Sequence, residues 1–294
     1  MPTHKIISSS AQSAQVPTRL LWLDVLLIIA ICLVVTGHVA QALNLFWGNV
    51  IHTHFFDFSI AKIGVVIFLF VSGLGLHLSQ KRRSTPLLRF YIDRLWRIYP
   101  MYWLVLLLGF TLGILRHDPF IRSWDEGLLT VSGFCAFAGR WGCQLPMGWF
   151  IGLIISLYLI YPLLAKAIRW NATGALAIFF IVRLLSRLVV ESILPGYPLE
   201  WFPLCRIFEF GLGIYCADRI SLRGTPSPAW LAYLSDIAFP LYLSHYSFAF
   251  LFYRLPSPIN LLAYVTLILI MNAVLLTAEH QIKHVIARAW RSPG

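Results

Sequence analysis

The chain has 294 residues, of which 59% are hydrophobic and only 12% charged, with a formal net charge of +11. A soluble domain carries about a quarter charged residues, so the composition excludes a solvated globule, and the hydrophobicity excludes intrinsic disorder. A membrane protein remains, and the placement of its 23 Lys and Arg residues decides whether the positive balance serves nucleic acid or topology.

Residues 1–18 are rich in Ser, Gln and Ala and read as a flexible cytoplasmic tail, with 19–294 forming a single transmembrane domain. Eight apolar runs follow in order, at about 20–43, 60–78, 98–115, 148–167, 173–190, 201–217, 230–253 and 259–278. They are long and do not alternate, so helices are expected rather than barrel strands. The first run exceeds a signal-peptide core and carries Asp24 and His38, so it reads as a retained span. With the N-terminus inside, fifteen Lys and Arg residues fall in inner segments and four (Arg116, Arg122, Arg140, Arg254) in outer loops. That asymmetry orients the bundle N-in and C-in with an even number of helices. The basic residues are spread over five inner segments, which argues against a nucleic-acid partner. The predicted fold is therefore all-α, a polytopic bundle of about eight spans.

Cys135 and Cys143 share one outer loop, where a disulfide is open to them. His52 and His54 form an H-x-H near Asp57, but a metal site needs three or four placed ligands, and no metal is expected.

Ionisable residues within spans are costly and mark candidate sites. Asp24 and His38 lie in the first run, 14 residues apart and so about 21 Å along a helix axis, on roughly the same side. A neutral imidazole in a dry bundle can accept a hydroxyl proton; a structural bond to a carbonyl is the competing reading. Arg206 and Glu209 stand at i, i+3 and can neutralise each other. Arg183 and Arg187, at i, i+4, call for an anion: Glu191, Glu209, a lipid headgroup or a substrate phosphate. Arg94 and Arg97 share one face at the inner mouth of the third run, which suits phosphate oxygens as well as it suits a topology anchor. Composition and spacing alone leave an enzyme and a transporter both open.

Six blocks, in order, resemble the acyltransferase 3 family of integral membrane O-acyltransferases acting on carbohydrates. Leu23-Asp24-Val25-Leu26 through Val34-Val35-Thr36-Gly37-His38 is similar to its opening helix, and Phe68-Leu69-Phe70-Val71-Ser72-Gly73 to its FFxLSG stretch. Arg94-Leu95-Trp96-Arg97-Ile98-Tyr99-Pro100 matches RxxRIxP, and Gly148-Trp149-Phe150 through Tyr161-Pro162-Leu163-Leu164 its WFL…PLL helix. Arg206-Ile207-Phe208-Glu209-Phe210 is like RxxEF, and Ser235 through Tyr242-Leu243-Ser244-His245 is like SYxLYLxH. The resemblance implies an enzyme that moves an acyl group, usually acetyl, from cytoplasmic acyl-CoA (acetyl-CoA) to a hydroxyl of a surface or lipid-linked glycan, in the lipid bilayer of a bacterial inner (plasma) membrane. It implies His38 as general base or acyl carrier, with Asp24 ordering the interior, and Arg94 and Arg97 as contacts to CoA phosphates. Ser72, Trp149, Tyr242 and His245 are the oxyanion candidates, and Arg206 and Glu209 are substrate-binding or structural. Two departures stand out: the family's helix-1 Arg is Leu27 here, and the family commonly has ten spans. The first keeps a transporter, a flippase or an inactive relative as alternatives. The short stretch after Glu279 implies a stand-alone transferase.

Overall fold

The computed structural model describes residues 19–43, 51–52, 57–115, 123–138, 145, 147–220, 225–248 and 258–289. The predicted tail, His54, and Cys143 lie outside them. Nine α-helices make up these regions: α1 (Leu21–Ala42), α2 (Ile60–Arg82), α3 (Leu87–Leu115), α4 (Trp124–Ser132), α5 (Trp149–Trp170), α6 (Ala172–Ile193), α7 (Ile207–Arg219), α8 (Ala229–Ser244) and α9 (Pro258–Ala289). Six of them (α1, α2, α3, α5, α6 and α9) are long and apolar enough to cross a bilayer. A two-residue hairpin, β1 (Ile51–His52) against β2 (Asp57–Phe58), precedes α2. Cys135 is disulfide-bonded.

Eight runs were expected to span, and the two that fall short differ in an informative way. α7 has 13 residues, about 20 Å of helix against a hydrocarbon core of about 30 Å. The run at 201–217 instead starts as 3-10 turns, Leu199–Trp201 and Pro203–Arg206, before α7 begins. Pro198 and Pro203, which lack the N–H a helix ladder requires, account for the break. α8 has 16 residues and is extended by a 3-10 turn, His245–Phe248, which brings the pair to about 32 Å.

Other boundaries follow local chemistry. α3 starts at Leu87, well before the expected 98, because the basic stretch is helical and carries an Arg89–Asp93 pair at i, i+4, 2.8 Å long. The expected inner loop is thereby reduced to a few residues. Asn171 ends α5 and caps α6, its side chain accepting from the Gly174 N–H at 2.9 Å, so the two helices turn back on each other at one residue. Ser59 caps α2 in the same way through the Lys62 N–H. At Gly133 φ is +76°, the left-handed turn that stops α4, with the Phe134 N–H returning to the Leu129 carbonyl.

Helix directions can be read from which residues meet. Gly64 lies on Ala30 and Gly37 on Ala61, so α1 and α2 are antiparallel. Lys62 meets Glu200, Gly73 meets Phe210 and His77 meets Asp218, so the chain through α7 runs parallel to α2. Gly211 meets Phe179 while Glu209 meets Arg183, so α6 opposes α7. Tyr102 lies by Gly148 and Phe90 by Tyr161, so α3 opposes α5. At one end Arg19 bonds Asp236, and at the other His38 bonds His245, so α1 and α8 are parallel. Ser244 meets Asn272 and Tyr264 meets the His245 carbonyl, so α9 opposes α8. Strict alternation of the eight helices other than α4 satisfies every one of these pairings and returns the C-terminal end of α9 to the N-terminal side. The protein is a polytopic transmembrane helical bundle.

Its centre is α2, which packs most extensively against α7 and α1. A Cβ added at Gly73 would lie 2.1 Å from the Phe210 carbonyl oxygen, and one at Gly213 would lie 2.1 Å from that of Phe70. Small residues allow this approach, as is usual where helices pack without water. At the inner ends, buried His77 donates from Nε2 to Asp218 (2.9 Å) and accepts the Tyr161 hydroxyl at Nδ1 (2.9 Å), tying α2 to α7 and α5.

Gly73→Ala and Gly213→Ala are each expected to destabilise the bundle by about 1–3 kcal/mol, as overpacking does. Gly75→Ala, which meets nothing within 4 Å, should be neutral or slightly stabilising. Thermal unfolding in detergent checks this; equal melting temperatures for Gly73→Ala and Gly75→Ala would refute the close crossing.

Candidate active site

A cavity of about 790 Å³ opens on the inner side between α1, α2, α3, α5, α8 and α9. Its mouth carries Arg19, Arg82, Arg83, Arg94, Arg97 and Lys283. Deeper, its walls are Leu27, Phe68, Val71, Ile98, Phe150 and Ile154, with Ser72 and Tyr158 as polar exceptions. Arg94 and Arg97 thus both reach the same space, as their i, i+3 spacing on α3 requires. The Arg94 guanidinium also lies 5.6 Å from the centre of the Phe90 ring.

Asp24 stands in the cavity wall within an ionic clamp that spacing did not foretell. Arg19 donates to Asp24 at 2.9 Å and to Asp236 at 2.8 Å, and Ser235 donates to Asp24 at 2.6 Å. Burial works against the Arg19 charge, but the bonds to Asp24 and Asp236 outweigh it and raise its pKa, so it stays cationic. Backbone pairing adds to the clamp: the Leu21 N–H reaches the Thr225 carbonyl at 3.0 Å, and Leu20 bridges Pro226. The inner ends of α1 and α8 are fixed together here. Asp24 therefore works at a distance from His38, about 21 Å along the helix.

His38 lies near the other end of α1. Its Nδ1 is 2.9 Å from Nε2 of His245, and the rings stack with centroids 5.1 Å apart. His245 is fully buried, and its Nδ1 lies 2.9 Å from the Tyr242 carbonyl and 3.1 Å from that of Leu241. Carbonyls only accept, so His245 carries its proton on Nδ1 and Nε2 is an acceptor. His38 then donates from Nδ1, and its Nε2 keeps a lone pair. Both ring nitrogens of His245, an expected oxyanion candidate, are engaged, Nε2 by His38 and Nδ1 by the carbonyls of α8. Tyr264 donates to the His245 carbonyl at 2.9 Å, and Asn272 exchanges bonds with Ser244, so α9 holds the dyad's backbone.

Aromatic rings separate the cavity from this dyad. Tyr242 packs against Phe68 (5.6 Å between centroids) and Phe150 (4.9 Å), both of which line the cavity, and its ring lies 6.2 Å from His245. The Tyr242 hydroxyl is buried without a hydrogen-bond partner. Trp149 stacks on Trp201 at 5.8 Å. Arg206 and Glu209 do pair, at 3.3 Å, and Arg183 joins the same carboxylate oxygen at 3.3 Å. Lys62 is taken by Glu200 at 3.0 Å, so neither Lys62 nor Arg206 reaches the space beside Leu27. Sequence reasoning missed Arg19, which had counted only as a topology charge, and the Phe68–Phe150 floor, which read as ordinary span residues. Among the described residues no cluster of three His, Cys, Asp or Glu side chains is placed to hold a metal.

A family model described as an acyltransferase domain matches residues 20–222. The chain belongs to the acyltransferase 3 family. No curated protein and no solved structure matches it. The match to this acyltransferase family contains His38, Ser72, Arg94, Arg97, Trp149, Arg206 and Glu209, and stops short of α8. The Ser235–His245 block therefore lies outside it, although the fold brings His245 against His38.

Arg19→Gln would leave the buried Asp24 carboxylate with hydroxyl partners alone. It is expected to lower the melting temperature more than Asp236→Asn does, because Asp236 is half exposed and Asp24 is not. An Arg19→Gln protein as stable as Asp236→Asn would refute the clamp.

Proposed function

We propose that the protein is a membrane O-acyltransferase that moves an acyl group, acetyl in the first instance, from cytoplasmic acyl-CoA to a hydroxyl of a surface or lipid-linked glycan, in a bacterial inner membrane. The observation that carries this reading is the one-sided arrangement: a cationic cavity mouth on the inner side, an apolar shaft behind it, and a histidine with a free lone pair beyond. The family membership favours group transfer over transport alone.

The guanidinium groups of Arg94 and Arg97 suit the CoA phosphates, because their planar forks match phosphate oxygens. Leu27, Val71 and Ile154 suit the uncharged pantetheine arm. The thioester end then lies against Phe68 and Phe150. Moving past these rings exposes the carbonyl to the dyad and closes the path to water. His38 Nε2 takes the proton of the acceptor hydroxyl as its oxygen adds to the thioester carbonyl. The tetrahedral intermediate collapses by breaking the carbon–sulfur bond, and CoA leaves as a thiolate that takes the proton up. While His38 is cationic, its Nδ1–H points at the His245 lone pair, which stabilises the charge. Tyr242, whose hydroxyl has no partner, is the best-placed donor for the developing oxyanion.

Purified protein in detergent with acetyl-CoA and a glycan acceptor tests this. His38→Ala is expected to abolish acyl transfer. His245→Gln, which retains an acceptor oxygen, should keep more activity than His245→Leu. Arg94→Ala and Arg97→Ala should raise the KM for acetyl-CoA by about tenfold each, the worth of a charged hydrogen bond, with little effect on yield. Wild-type protein that neither binds nor turns over acyl-CoA would overturn the proposal. A lowered folding yield with unchanged KM would make the two arginines topology anchors only.

A further inference from the structure

A polar cluster where the middle of α6 meets the start of α7 is not used by the steps above, which draw only on the neighbouring Tyr242 hydroxyl. Arg183 and Arg206 share one oxygen of Glu209, at 3.3 Å each. Two guanidinium groups share one carboxylate, and Arg187, buried one turn along α6, adds a third guanidinium nearby. Lys62 is matched by Glu200 and does not change that balance. Glu209 Oε2, Nε of Arg183 and of Arg206, and the Tyr242 hydroxyl are all buried without a hydrogen-bond partner. Arg206, Glu209 and Tyr242 are 5%, 6% and 1% exposed. The cluster thus keeps two guanidinium Nε–H donors and one carboxylate oxygen without hydrogen-bond partners inside an ion-paired group.

The backbone points the same way. α7 begins at Ile207, beside Arg206, after two 3-10 turns, so a helix N-terminus with its partial positive charge lies inside the bundle. Irregular backbone at membrane depth is tolerated where it is enclosed by protein or lines a site, and half-helix N-termini in membrane proteins serve anionic substrate groups. The cluster also adjoins the dyad. The Tyr242 ring stands 6.2 Å from that of His245 and packs on Phe150, which meets Trp149, which in turn stacks on Trp201 just ahead of Arg206.

We propose that this cluster is the acceptor subsite and that it selects an acidic saccharide. The saccharide's phosphate or carboxylate binds Arg183 and Arg206 at the start of α7, and a neighbouring hydroxyl donates to Glu209 Oε2. This assignment rests on the acyl-transfer reading and names its acceptor class. A neutral sugar would offer these buried arginines no charge to pair with.

Three acceptors with a common sugar core separate the cases: a uronic-acid oligosaccharide, a polyprenyl-phosphate-linked saccharide and a neutral oligosaccharide, each with acetyl-CoA. One of the two anionic acceptors is expected to show kcat/KM about tenfold above the neutral one, which also decides between carboxylate and phosphate. Arg183→Gln should reduce that preference to within about twofold by raising the KM for the anionic acceptor, and Arg183→Lys should retain most of it. If Arg183→Gln does not fold, wild-type protein gives the same answer. Methyl glucuronate or inorganic phosphate should then inhibit competitively against the anionic acceptor and not against acetyl-CoA. Equal kcat/KM for neutral and anionic acceptors would overturn the subsite and leave the transferase reading standing. Transfer to none of the three would overturn both.

Discussion

The close crossing of α2 with α7 and α1 is the constraint on which the rest of the bundle depends. In a bilayer, apolar side chains gain nothing by leaving lipid for protein, so helices associate where backbones can approach. Gly37, Gly64, Gly73 and Gly213 provide those points, and at each an added Cβ would meet backbone atoms at 2.5 Å or less. With α2 held between α1 and α7, α8 can lie along α1 and α6 along α7. His38 then faces His245, and Arg183 faces Glu209, across 207 residues of chain in the first case.

The polar groups divide the molecule into three levels. At the inner side the Arg19–Asp24–Asp236 clamp and the His77–Tyr161–Asp218 bridge fix helix ends around the cavity. At the other end the His38–His245 dyad sits behind Phe68, Phe150 and Tyr242. Between these levels lies the arginine cluster at the broken start of α7, level with the middle of α2 where Gly73 meets Phe210. On the proposed reading, a donor entering from inside and an acceptor held on the other side would meet at the dyad, across the aromatic layer.

Leu27 gains a physical setting from this arrangement. It lines the cavity beside Asp24 and opposite Arg94 and Arg97, and packs partly into the core. Arg19 lines the same cavity about two turns earlier, but its charge is met by Asp24 and Asp236, so the cationic character of the mouth comes from its other basic residues, Arg94 and Arg97 among them. Of the Arg183/Arg187 pair, which called for an anion, Arg183 shares the Glu209 carboxylate with Arg206.

Much of this was legible in the sequence, and for simple reasons. Span positions followed from apolar length, orientation from the inner excess of Lys and Arg, and the Arg94/Arg97 and Arg206/Glu209 pairings from helical spacing, all of which are local properties. The resemblance in ordered blocks pointed to the family. The break ahead of α7 was hidden because an apolar run looks the same whether it is one helix or two 3-10 turns and a half-helix. The tautomer of His38 was hidden because it is set by carbonyls of α8. Arg19 looked like an anchor because Asp236 is 217 residues away. The sequence by itself determined a membrane bundle and its short list of buried polar residues, since hydrocarbon penalises each such residue wherever it packs. Only the tertiary structure decided which of them meet, because that depends on which helices lie parallel, and the glycine crossings of α2 set those neighbours.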